Sequence, residues 1–131
     1  MTHETIQPDG WLPAKGYANG MLTKDGTLHI GGQIGWDANK KFVEGGFIPQ
    51  MKQALANIAA IVEAAGGQVS DVTRLTWFVT DKSEYLAHQA DVGQAYREVF
   101  GKHFPAMSMI IVSGLVESEA LIEIEATAHI G

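Results

Sequence analysis

The changing periodicity along residues 1–131 predicts an α+β fold (an α/β sandwich being the neighbouring class) of order β-β-α-β-α-β-β, with one mixed sheet and two helices on one of its faces. Three observations carry this. Residues 47–65 place apolar side chains at helical spacing. The run "DVTRLTWFVT" is apolar on both alternating faces, as a central strand covered on both sides requires. The closing "ALIEIEATAHI" alternates strictly, as a strand with one buried face does.

After a polar start, "GYANGMLTKDGTLHIGGQIGWD" reads as two strands joined at Lys24-Asp25-Gly26, since Asp-Gly tolerates the positive φ of tight hairpins. The second strand, 27–34, contains Gly31 and Gly32, a pair that marks a bulge, tight strand packing or the close approach of a ligand. Phe47, Met51, Leu55, Ile58 and Val62 then form one helix stripe, with Gln50, Gln53, Asn57 and Glu63 off it and Gly66-Gly67 as the stop. In the central strand Leu75, Trp77 and Val79 share one face, and Val72, Thr76 and Phe78 the other. A second helix over 86–100 turns Val92, Tyr96, Val99 and Phe100 inward. The stretch "FPAMSMIIVS" is a proline-initiated apolar strand in which Ser108 separates Met107 from Met109.

The two helices cover one sheet face only. Trp77 and Val79 cannot all meet water, so the second face is expected to close against further copies of the chain. With 131 residues one domain is expected. The formal charge of −6 and only two arginines, Arg74 and Arg97, argue against a nucleic-acid partner. The N-terminus lacks the basic and apolar regions of a secretory signal, and no run approaches the roughly 18 apolar residues of a membrane span. A cytoplasmic protein without membrane contact is the expectation. There is no cysteine, hence no thiolate nucleophile or cysteine-bound metal. His3, His29, His88, His103 and His129 show no ligand spacing, and no metal is expected. "GGQIG" lacks both phosphate-loop spacings, and Ser108 has no base that the sequence identifies.

The closing strand holds the clearest chemistry. Ile122, Ile124, Ala126 and Ala128 lie on one face, and Leu121, Glu123, Glu125, Thr127 and His129 on the other. The two carboxylates stand roughly 7 Å apart along the strand. Removed from water, their repulsion and desolvation raise at least one pKa and suit a general acid or base. The alternative is that both are solvated or paired with a neighbour's cations.

"GGQIGWD", "QALANIAAIVEAAGG", "DVTRLTWFVTD", "AYREVFGKHFPA" and "LIEIEATA" resemble, in order and spacing, the RidA (YjgF) family nearly end to end, as a single RidA-like domain over 1–131. The resemblance implies a chorismate-mutase-like fold, a homotrimer with small-molecule clefts between subunits, and cofactor-independent enamine/imine deaminase chemistry. In that chemistry 2-aminoacrylate-type intermediates are hydrolysed to a 2-keto acid and ammonia. It further implies that Tyr17 lines the cleft, that Glu123 positions or protonates the attacking water, and that Gly32 backs the pocket. Four positions depart from the family pattern: Gly31 stands for Ser, Gly93 for Asn, Met107 for the arginine after Pro-Ala, and Met109 for Cys. A guanidinium anchors a carboxylate through two parallel hydrogen bonds, which methionine does not imitate. The expected activity is therefore deamination of a substrate other than the usual carboxylate-anchored one, with Met107, Ser108 and Gly93 lining its site. A non-catalytic metabolite-binding trimer is the alternative. The ribonuclease or translation-inhibitor activity also described for members is disfavoured by the acidic composition.

Overall fold

The computed structural model describes residues 2–131. Six strands form one sheet: β1 (His3–Ile6), β2 (Gly20–Thr23), β3 (Thr27–Ile34), β4 (Val72–Val79), β5 (Ala106–Ile111) and β6 (Ile122–His129), in the order β1-β2-β3-β6-β4-β5. Only β4 and β5 run parallel, so the sheet is mixed, as predicted. The main helices are α1 (Phe47–Ala64) and α3 (Gln89–Phe100), with the short α2 (Lys82–Ala87) before the latter. The stripe Phe47, Met51, Leu55, Ile58 and Val62 is buried, in one core with Leu28, Ile30, Leu75, Trp77, Ile122, Ile124 and the inward residues of α3. Removal of this apolar surface from water, at about 25 cal/mol per Å², is what holds helices to sheet. Among the described residues no helix is long and apolar enough to cross a membrane.

Six details differ from the sequence-based expectation. The polar start contains β1, whose sequence HETI buries Ile6 alone; an edge strand held by backbone pairing to β2 needs no apolar rhythm. The second helical region begins at residue 82, not 86. Asp81 caps it by accepting from the Ser83 and Glu84 N–H groups at 3.0 and 3.2 Å. It breaks at His88, whose Nδ1 lies 2.9 Å from the Glu84 carbonyl, while the His88 N–H turns to Tyr85 O. Val72 joins the core instead of the opposite face, because a bulge between Val72 and Arg74 shifts the register against β6.

Gln50 and Asn57 lie off the apolar stripe yet are buried. Gln50 donates to Glu119 O at 3.0 Å and accepts from the Leu121 N–H at 2.8 Å; Asn57 donates to Ile34 O and Trp36 O. The helix thus grips the chain just before β6 and at the end of β3.

The last difference concerns the uncovered face. Leu75, Trp77 and Val79 all point to the helices and are buried. The opposite face carries Arg74, Thr76 and Phe78 beside Thr127, Glu125 and Glu123, a mixed surface and not the apolar one expected. Exposed apolar side chains concentrate instead on β5, the sheet edge, where Met107, Ile110 and Ile111 are 49%, 44% and 46% exposed.

Candidate functional site

Glu123 pairs with Phe78 on one side and Ile34 on the other, at the open-face end of β6. Its carboxyl is half-buried and, among the described residues, receives no hydrogen bond. Burial first, and the like charge of Glu125 second, push its pKa above the ordinary 4.5. The seat exists because β3 bulges between Ile30 and Gln33, bringing Gly32 under the carboxyl. A Cβ at Gly32 would lie 2.6 Å from Glu123 Cδ and 2.8 Å from its Cγ. The glycine pair is therefore a bulge and a close approach at once, and what approaches Gly32 is Glu123.

The segment carrying Tyr17 runs beside that bulge. The Gly31 N–H donates to Asn19 O at 2.9 Å, and a Cβ at Gly31 would lie 3.2 Å from Ala18 O. Buried Gln33 donates to Asn19 Oδ1 at 3.2 Å and to Gly31 O at 3.1 Å; Asn19 donates in turn to Gln7 Oε1 at 2.8 Å. This polar chain fixes the loop on which Tyr17, 53% exposed, is displayed.

A cavity of about 250 Å³ lies on the other side of the sheet, between the helices and the β4–β5 edge. Parallel pairing sets Met107 opposite Leu75 and Met109 opposite Trp77, which turns both methionines toward it. Tyr85 and Phe104 complete the apolar wall. The Phe104 ring stacks on Tyr96 with centroids 5.6 Å apart. Tyr96 donates its hydroxyl to His103 O, and burial lifts its pKa to about 12, so it stays a donor at every ordinary pH. His103 Nε2 sits 2.7 Å from Val72 O, tying this strand entry to β4. Gly93 and Arg97, one turn apart on α3, close the cavity's polar end.

Residues 9–130 match the family described as Endoribonuclease L-PSP. The chain belongs to this family, the RidA (YjgF) family. It is 35% identical over 113 residues to a goat (Capra hircus) 2-iminobutanoate/2-iminopropanoate deaminase, covering 86% of this chain and 78% of that protein. Among solved structures it is similar to RidA from an Antarctic Psychrobacter, at 32% identity and a TM-score of 0.82 over 97% of this chain and 99% of that one. It is also similar to Escherichia coli TdcF with bound serine, at 28% identity and a TM-score of 0.82 over 98% and 99% of the two chains.

The site residues that the RidA-type resemblance implies divide into two groups. Gly31, Gly32 and Glu123 meet beside the Tyr17 loop. Ser108 pairs with Thr76, itself opposite Glu125, so it shares the open face and lies roughly 10 Å across the strands from β6. Gly93 and Met107 meet in the helix-side cavity. Within one chain the sheet separates Met107 from Glu123. Arg74, opposite Thr127, is on the open face and does not replace a cation beside Met107. The cation that does stand there, Arg97, was not singled out by its sequence; its spacing of four from Gly93 on a helix is the signal that points to it.

Proposed function

We propose that the protein is a cofactor-independent enamine/imine deaminase that works in a cleft completed by a second copy of the chain, in a homotrimer. The observation that carries this is the seat of Glu123: a half-buried carboxyl with a raised pKa, without a donor among the described residues, packed over a glycine. Such a carboxyl, held partly out of water with its pKa raised, can take and return a proton during the reaction. In the reaction, an enamine protonated at carbon becomes an imine. Glu123 takes a proton from water as the oxygen bonds to the imine carbon and returns it to nitrogen, giving a carbinolamine. It then takes the hydroxyl proton and delivers it to the same nitrogen as the C–N bond breaks, leaving a carbonyl and ammonia with the carboxylate regenerated. Tyr17, at the rim, orients the ligand.

The goat relative's imino-acid deaminase activity and the serine bound to TdcF support a small, amino-acid-like substrate. The separation of the two groups of residues across the sheet supports the second copy: a Glu123 of one chain and a Met107 wall of another meet only at an interface. The exposed apolar residues of β5 supply the surface for it. The formal charge of −6 gives no support to RNA as substrate.

The test is ammonia release from imines of apolar amino acids, generated in place, by wild type and Glu123→Gln. Loss of general acid–base assistance is expected to lower kcat by about 10²- to 10⁴-fold. Equal turnover by the two proteins would remove Glu123 from the mechanism. One second reading is favoured by a specific feature: Met107 and Gly93, in place of the arginine and asparagine the resemblance implies, suit a non-catalytic metabolite binder. Ligand binding by a wild type that releases no ammonia from any imine would select it.

A further inference from the structure

We propose that Arg97 anchors the carboxylate of a small 2-imino or 2-oxo acid whose aromatic or branched apolar tail fills the cavity against Met107 and Met109. This rests on the deaminase reading of the same cleft and names its substrate class.

The argument begins with Gly93. Side chains on a helix lean toward its N-terminus, so a residue at i+4 lies over residue i. Arg97 is four residues after Gly93 on α3, and any Cβ at position 93 would lie 3.3 Å from Arg97 Nη1. That is tight for a guanidinium carrying its own hydrogens. The glycine, which costs a helix interior about 1 kcal/mol, spares the flexible end of Arg97 from giving way by a few tenths of an ångström as it lies back along the helix to the cavity.

Arg97 has no carboxylate partner among the described residues: the ion pairs there are Lys52–Glu98 and His88–Glu84. Its charge is therefore available to a ligand. The rest of the wall is mostly apolar, with Leu75, Val92, Phe104, Met107 and Met109 in it; its polar atoms belong to tyrosines and to the Trp77 indole N–H, which is buried without a hydrogen-bond partner among the described residues. One cation at the edge of an apolar pocket matches an acid with one anionic head and an apolar body. The cavity's roughly 250 Å³ is below the about 300–1,000 Å³ of drug-sized sites, so the occupant is small. The smallest imino acids would reach Arg97 and leave the methionine wall unfilled.

The experiment is calorimetric binding of phenylpyruvate and of pyruvate, both stable 2-oxo acids, to wild type, Arg97→Ala, Arg97→Lys and Glu123→Gln. Wild type is expected to bind phenylpyruvate more tightly than pyruvate. Arg97→Ala is expected to weaken phenylpyruvate by about 10- to 100-fold, the range for a charge-assisted hydrogen bond at a partly exposed site. Arg97→Lys should recover part of that loss, since it restores the charge without the fork. Glu123→Gln should bind phenylpyruvate at least as tightly as wild type, since it removes a negative charge from the same cleft. Unchanged affinity in Arg97→Ala, or equal affinity for the two acids, overturns the proposal whatever the turnover. Full turnover by Glu123→Gln with weakened binding by Arg97→Ala would instead overturn the deaminase mechanism and leave the anchor standing.

Discussion

At the scale of single residues, Glu123 links function to stability. Burial and Glu125 raise its pKa in the folded chain, so the fold disfavours its charged form. The stabilisation this represents is fully present below the ordinary carboxyl pKa of 4.5 and is lost as pH rises through the folded value. Glu123→Gln is neutral throughout. Its Tm is therefore expected to exceed that of wild type at pH 8 and to converge with it below about pH 4, a comparison that calorimetric scans across pH settle. An equal difference at both ends would mean that charge is not what strains the site. Removing the neighbour tests the second cause: Glu125→Gln moves the acid limb of the wild-type pH–rate profile to lower pH. Gly32 belongs to the same seat. Gly32→Ala drives a methyl into the Glu123 side chain and is expected to cost about 1–3 kcal/mol in a urea titration. It also displaces the carboxyl toward water, which lowers its pKa. A stability unchanged by this substitution would show that the close packing is not needed.

At the scale of elements, the sequence makes plain whatever repeats. The stripe of α1 and the alternation of β6 are periodic over many residues, and both stand in the structure with the predicted residues buried. Glu123 was legible for the same reason, because strict alternation puts it off the core. The misses are local events that periodicity averages over. One bulge carries Val72 to the core side, and a single imidazole–carbonyl contact divides α2 from α3. Edge strand β1 has no apolar rhythm to read. Gln50 and Asn57 fall off the apolar stripe, yet their amides satisfy backbone groups of Glu119, Leu121, Ile34 and Trp36 beside α1, which is what keeps buried polar side chains in place. For Arg97 the sequence carries only its spacing of four from Gly93; that it lines the cavity is visible in the structure alone.

At the scale of the whole molecule, the sheet is a partition. Glu123 and the Tyr17 loop stand at one side, and Arg97 with the methionine wall at the other. Light scattering is expected to give the mass of a trimer; a monomer would leave each group of residues without its complement. The partition also permits genetic-style complementation. In the proposed trimer, Glu123→Gln and Arg97→Ala would each damage every cleft of their own assemblies, but from different chains of the pair that builds it. Unfolded together in equal amounts and refolded, they form assemblies in which about a quarter of clefts receive both intact residues. Activity is then expected to rise above that of either parent, whereas a site wholly contained in one chain would gain nothing from mixing.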